Sequence, residues 1–127
     1  HYIEAQVHGP VALARDAERM VADPSFRATP TGEVLSQLSA QYGIPLQWHG
    51  GFRLPASEVP ADFRGPAMPS LARRVAGEGH VDAHRLGLAA AHLKAHPGQW
   101  RDRGTYEHCL QELKMLWHVL VRYGNPL

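Results

Sequence analysis

The chain has 127 residues, a length that fits one domain or part of one. Its 13 Lys and Arg against 12 Asp and Glu give a formal net charge of +1. A charge so close to zero argues against a non-specific nucleic-acid binder and a membrane-surface protein, and no apolar run approaches the length of a transmembrane helix. Cys109 is the single cysteine, so no disulfide can form within the chain, which fits a reducing compartment.

The opening of the chain predicts a β-strand with one apolar and one polar face. Side chains on a strand alternate between its two faces. Ile3, Ala5 and Val7 share the apolar face, which we expect to contact a core. The polar face consists of Tyr2, Glu4, Gln6 and His8. Because the chain begins directly at this strand and without Met, we expect it to be a fragment of a longer protein.

Residues 1–50 predict the order strand, strand, helix, strand. The second strand is centred on Met20-Val21. Thr29 as the N-cap, with Pro30 at the first helical position, predicts a helix that ends at Gly43. Alternation of apolar and polar residues returns at positions 44–49 and predicts the last strand of this segment.

The rest of the chain predicts a long loop followed by helices. Residues 51–68 are rich in Gly and Pro and have no sustained period, so we expect an ordered loop without secondary structure, a kind of segment that is often functional. Residues 69–127 predict a helical C-terminal subdomain of about three helices. Asp82 and Thr105 are the expected N-caps of the last two, and the final helix has the strongest amphipathic pattern. The fold class expected from this order is α+β.

Glu4 and Gln6 form the first candidate site. Residues two apart on a strand point the same way and are about 7 Å apart. A carboxylate and an amide on one face can bind a diol such as ribose. The fixed negative charge would also stabilise an oxocarbenium-like transition state beside it. The alternative is a strand whose polar face contacts only water.

The histidines are the second set of candidates. His80 with His84, and His92 with His96, are four residues apart, a spacing that places two imidazoles on one helix face and suits Zn or Ni. No cysteine pair and no metalloprotease-type Glu accompanies them, so an exposed polar face explains the pairs better and we expect no bound metal. His49, which precedes two glycines, either lines a pocket at a strand end or belongs to a turn.

Five stretches of the chain, in order and over almost its whole length, resemble the C-terminal part of a bacterial family of domains of unknown function. Longer members of that family are similar to ADP-ribosyltransferases. The stretches are YIEAQVHGPV (2–11), DPSFR (23–27), GIPLQWH (43–49), DFRGPAMP (62–69) and LKMLWHVLVRYG (113–124).

The resemblance implies the C-terminal half of a split β-sheet of the ADP-ribosyltransferase type, with NAD as the substrate. The pattern Glu-x-x-Val-x-Gly that begins at Glu4 is similar to the glutamate-bearing strand of those enzymes. Glu4 would be the catalytic glutamate that holds a ribose hydroxyl of NAD, while Gln6, Tyr2 and His8 would contact the NAD. Many toxins of this class have Gln or Glu two places before the catalytic Glu, whereas here the amide follows it. We favour Glu4 because only a carboxylate supplies the charge.

The resemblance also implies that the Arg and Ser of such a site lie in an N-terminal part that would be the chain's principal partner. The acceptor stays open among proteins, nucleic acids, small molecules and water. The location implied is the bacterial cytoplasm, or export as an effector. A second hypothesis is a non-catalytic interaction or scaffold module whose amphipathic C-terminal helices dock a partner.

Overall fold

The computed structural model of the chain describes residues 5–127 and confirms the α+β class. Its helices are α1 (Leu13–Asp16), α2 (Pro30–Tyr42), α3 (Met68–Val75), α4 (Ala83–Ala95) and α5 (Tyr106–Tyr123). Its strands are β1 (Met20–Ala22), β2 (Leu46–Trp48), β3 (Leu54–Pro55) and β4 (His80–Val81). Short 3-10 turns cover Pro24–Phe26, Ala56–Glu58 and Pro97–Trp100.

Helix α2 connects two parallel strands, which makes β1, α2 and β2 one βαβ unit. The helix begins where the sequence predicts, because Thr29 Oγ1 accepts a hydrogen bond from the Gly32 N–H at 3.3 Å. It ends at Gly43, whose φ of +65° is the left-handed conformation that favours glycine. Strand β2 shows the predicted alternation, with Gln47 exposed between two half-buried neighbours.

The hydrophobic core lies among the three C-terminal helices. Helix α5 packs against both α3 and α4. The largest side chains with no exposed surface are Met68, Leu71, Leu93, Leu116 and Leu120. Burying each such side chain contributes about 1.5–3 kcal/mol relative to leaving it exposed in water. The amphipathic pattern of the last helix therefore identified the element around which the core is built.

The segment 51–68 is more regular than its composition predicts. Leu54 and Val59 are buried and fix the segment to the core. Strand β3 pairs antiparallel with β4, with Leu54 opposite Val81, and a 3-10 turn follows it. The expectation of a loop without secondary structure is therefore wrong. A two-residue strand has no period to detect, and its partner lies more than 20 residues away.

The predicted opening strand is not found where the structure describes that segment. Residues 5–12 contain no strand, and all of them are exposed. Val7 has 84% of its surface exposed, so its expected place in a core is wrong. Alternation alone does not make a strand, because the backbone also needs a hydrogen-bonding neighbour. Ile3, on the same expected face, lies outside the described residues.

Hydrogen bonds join the first 50 residues to the C-terminal part of the chain. The backbone N–H of His84 in α4 donates to Ser25 Oγ at 3.1 Å. The Leu127 N–H donates to the Gly50 carbonyl at 2.9 Å. Among the helices of residues 5–127, none is both long and apolar enough to span a bilayer.

Candidate functional site

The site predicted at the opening of the chain lies partly within the described residues. Glu4 and Tyr2 lie outside the described residues. Gln6 and His8 are described, and both are exposed in a segment without secondary structure. A ligand can reach both side chains. The strand geometry that the sequence predicted between them is absent, because residues 5–8 are not a strand.

A buried carboxylate and an imidazole meet at one edge of the βαβ unit. Asp23 directly follows β1, and His49 directly follows β2. The carboxyl ends of parallel strands lie at the same edge of a sheet, where ligands of open α/β sheets commonly bind. Asp23 Oδ2 lies 3.6 Å from His49 Nε2, and the Asp23 side chain is 7% exposed. This pair, Asp23 with His49, is one candidate site among the described residues.

The hydrogen bonds around His49 fix which ring nitrogen carries the proton. Its Nδ1 accepts a hydrogen bond from the Gly51 N–H at 2.9 Å, so in the neutral ring the proton is on Nε2, which faces Asp23. Gly51 has a φ of +84°, and a Cβ there would come within 2.8 Å of Pro24. The turn interpretation of His49 therefore applies, and the ring also faces a buried acid.

One oxygen of Asp23 remains without a hydrogen bond. Oδ1 accepts from the Ser25 N–H at 2.9 Å. Oδ2 is buried and has no hydrogen-bond partner among residues 5–127, since 3.6 Å to Nε2 exceeds hydrogen-bond length. A small shift of the imidazole would close this contact. Both nitrogens of His49 face protein groups, Nδ1 the Gly51 N–H and Nε2 the Asp23 carboxylate. The imidazole is therefore not placed to abstract a proton from a ligand. The free oxygen of Asp23 can instead accept a hydrogen bond or face a positive charge.

Asp23 was missed as a functional candidate by sequence reasoning, which identified only its role in ending β1. A signal was nevertheless present in the chain. An acid follows one predicted strand and a His ends the next, with a helix between them. If the two strands are parallel, those residues lie at the same edge. The missing information was the pairing of β1 with β2, which local patterns do not give.

Three of the four histidines at helical spacing contact other groups of the protein, and the ring centre of the fourth, His96, lies 5.0 Å from that of His92. His80 Nδ1 lies 2.8 Å from the Glu78 carbonyl, and the His84 ring packs edge-on against Phe26. His92 Nδ1 accepts a hydrogen bond from the Trp100 indole at 3.0 Å. Within residues 5–127, no group of three His, Cys, Asp or Glu side chains is placed to hold a metal ion.

Cys109 is a core residue. It is 1% exposed, and its Sγ lies 3.7 Å from the Trp100 carbonyl, as a thiol donor would. Burial, and then the nearby negative charge of Glu112, raise the pKa of the Cys109 thiol above its ordinary value. A thiol with a raised pKa is a poor nucleophile near neutral pH, which fits the structural role predicted from the sequence.

An apolar groove lies between α4 and α5, with a volume of about 610 Å³. Small residues of α4, among them Gly87 and Ala90, form one wall. Leu110 and Trp117 of α5 form the other, and Lys114 is the charged side chain at its edge. Leu110 is 42% exposed, so part of this apolar surface contacts water in the isolated chain.

Comparison with known proteins identifies one family. The sequence profile of a family described as "Protein of unknown function (DUF3626)" matches residues 1–123. No curated protein and no solved structure gives a significant match. The family match covers nearly the entire chain, including the opening segment with Glu4. The chain therefore belongs to the family of proteins of unknown function DUF3626.

Proposed function

We propose that this chain is the carboxylate-bearing part of a bacterial NAD-dependent mono-ADP-ribosyltransferase. In this proposal Glu4 holds a ribose hydroxyl of NAD and stabilises the oxocarbenium-like transition state by its charge. Gln6, Tyr2 and His8 contact NAD from the same segment. The Arg and Ser of the site come from a preceding part of the same domain, and the chain forms one half of a split β-sheet.

The observation that carries the proposal is the pattern Glu4-x-Gln6-x-His8, which lies within the family match. Two features of the described residues support it. Gln6 and His8 are exposed and therefore accessible to a ligand. The β1–α2–β2 unit also follows the segment in the order that the resemblance to ADP-ribosyltransferases implies.

The described side chains fit NAD in type. An amide both donates to and accepts from ribose hydroxyls, and an imidazole can do the same. NAD would supply an activated ribose–nicotinamide bond, whose cleavage leaves positive charge on the ribose. The carboxylate of Glu4 would face that charge, and Gln6 would orient the sugar. Segment 5–8 would then pair with a strand of the other half of the site, because it has no strand partner among residues 5–127.

The test is transfer of label from NAD by a protein in which this chain follows its preceding segment. Glu4→Gln keeps the size of the side chain and removes its charge. We expect transfer to fall by about 100-fold or more, the magnitude typical of losing one electrostatic stabiliser of a transition state. Glu18→Gln is the matched control, because Glu18 is an exposed carboxylate outside the pattern. Equal transfer by wild type and Glu4→Gln would refute the role of Glu4.

The apolar groove between α4 and α5 favours a second candidate function, a non-catalytic interaction module. A helix of a partner chain would cover Leu110 and Trp117 and approach closely over Gly87. The first partner to test is a second copy of the chain. If the chain self-associates, its mass measured by sedimentation rises with protein concentration. Leu110→Lys should abolish that rise, and Arg101→Lys, at an exposed site away from the groove, should leave it unchanged. A monomeric wild-type chain at all concentrations would reject self-association.

A further inference from the structure

A small basic pocket of about 280 Å³ lies where the end of α3, the outer face of α4 and the Pro97–Trp100 turn meet. It is separate from the site proposed above, and the inference drawn from it does not rest on that function. Its polar lining comes from Arg74, Arg85 and His92. Val75 and Leu88 supply an apolar wall.

Arg85 lines this pocket beside Gly77 and has no acidic partner among residues 5–127. Its guanidinium lies directly against Gly77, where a Cβ would come 1.9 Å from Arg85 Cζ. Any residue larger than glycine at position 77 would therefore displace it. No carboxylate among residues 5–127 forms an ion pair with Arg85. Arg85 is half-buried, and its guanidinium, without an ion-pair partner in the described part of the chain, offers several N–H donors to an anion.

Arg74 brings a second guanidinium to the same pocket. Its Nη1 pairs with Asp102 Oδ2 at 2.7 Å, its Nη2 contacts the Gln99 carbonyl, and its Cζ lies 4.4 Å from the centre of the Trp100 ring. These contacts hold the side chain in one orientation. The Asp102 carboxylate offsets part of the charge of Arg74, so Arg85 supplies the unpaired positive charge of the pocket.

His92 adds a neutral donor whose direction is fixed. Its Nδ1 accepts from the Trp100 indole N–H at 3.0 Å, so the proton of the neutral ring is on Nε2. The pocket therefore combines two guanidinium groups with one N–H donor. Forked guanidinium donors match the oxygens of a phosphate group better than those of a spherical anion such as chloride.

We propose that this pocket binds the phosphate group of a small phosphorylated ligand, with Arg85 as the principal anion-binding residue. Arg74 and the Nε2–H of His92 complete the donor set, and Leu88 and Val75 contact the organic part of the ligand. Free phosphate and a nucleoside monophosphate share the recognised group. The test therefore uses inorganic phosphate and AMP, with adenosine as the ligand that lacks phosphate.

The readout is the indole N–H resonance of Trp100 in a ¹⁵N-labelled protein, because that group is bonded to His92 inside the pocket. Titrations are made at constant ionic strength with sodium chloride. Phosphate and AMP should shift the Trp100 resonance saturably, while adenosine should not. Arg85→Met should weaken the apparent affinity about tenfold or more, the usual effect of losing a hydrogen bond to a charged group. The indole of Trp117, which packs against the core, reports whether each variant keeps its fold.

Two further variants keep the test decisive. Arg73→Met is the matched control, because Arg73 precedes Arg74 on α3 but does not line the pocket, and we expect wild-type affinity. Arg85→Lys keeps the charge without the fork and should bind phosphate more weakly than wild type even if Arg85→Met does not fold. The proposal is overturned by a phosphate response equal in wild type and Arg85→Lys, by an adenosine response equal to that of AMP, or by an equal response to chloride.

Discussion

Arg103 joins helix α5 to the start of helix α3 through three side-chain hydrogen bonds. Its Nε donates to Glu112 Oε2 on α5 at 2.8 Å, its Nη1 to Ser70 Oγ at 3.1 Å and its Nη2 to the Ala67 carbonyl at 3.2 Å. The two charged side chains are only 12% and 6% exposed. A buried ion pair adds little net stability, because both ions lose their hydration. Each charge nevertheless offsets the cost of burying the other.

Arg103→Met should therefore destabilise the protein by about 3–5 kcal/mol, since it leaves the buried Glu112 carboxylate with only the exposed His108 imidazole, 3.5 Å from Oε1, beside it. The double variant Arg103→Met with Glu112→Leu should regain most of that loss, because no unpaired charge remains. Arg101→Met changes a neighbouring exposed arginine and should shift stability by no more than about 0.5 kcal/mol. Urea unfolding measures all three. A single variant as destabilised as the double variant would contradict this account of the pair.

At the scale of elements, the capping residues located the helices well. Thr29, Asp82 and Thr105 each accept a backbone N–H from the first turn of the helix that the sequence assigned to them. Such contacts join residues three positions apart, so a local pattern contains all the information needed. The pairing of β3 with β4 depends instead on residues far apart in the chain. The sequence could predict His80 only as a residue before a helix, and not as part of a strand.

Two glycines within helices should respond in opposite ways to alanine. A Cβ on Gly32 in α2 would lie 2.1 Å from the Phe26 carbonyl oxygen, whereas a Cβ on Gly87 in α4 would meet no atom within 4 Å. Gly32→Ala should destabilise the protein by about 1–3 kcal/mol through this steric clash. Gly87→Ala should stabilise it by about 0.5–1 kcal/mol through helix propensity. Thermal unfolding of the two variants compares them, and a stabilising Gly32→Ala would show that α2 can move away from the turn before it.

At the scale of the whole molecule, the sequence predicted the α+β class and the helical C-terminal part but not how distant segments meet. The opening strand was wrong for the described residues because residues 5–8 have no neighbouring strand. Asp23 and His49 are 26 positions apart, and only the parallel pairing of their strands brings them together. Both errors concern partners in space, which periodicity along the chain does not identify.

The last residues of the chain hold the segment after β2 in place. Arg53 and Asn125 exchange two backbone hydrogen bonds of 2.8 Å, and the Leu127 N–H donates to Gly50. Truncation after Gly124 removes all three and should cost about 1 kcal/mol for each. Hydrogen exchange should speed up at the Arg53 amide and stay slow at Leu116. Asn125→Ala keeps the backbone bonds and should exchange like wild type. Unchanged exchange at Arg53 in the truncated chain would show that this bridge does not hold the segment.

The reactivity of the buried Cys109 thiol can report how often the core of this protein opens. The chain holds one cysteine, so a thiol-specific alkylating reagent can mark a single position, and that position is enclosed by α5 and Trp100. Labelling then proceeds at the rate at which the core exposes it. Because the folded state raises the pKa of this thiol, the native form is favoured below the unfolded thiol pKa and loses that advantage as the pH rises through the folded value. We therefore expect labelling to accelerate in alkali beyond the increase shown by a free thiol.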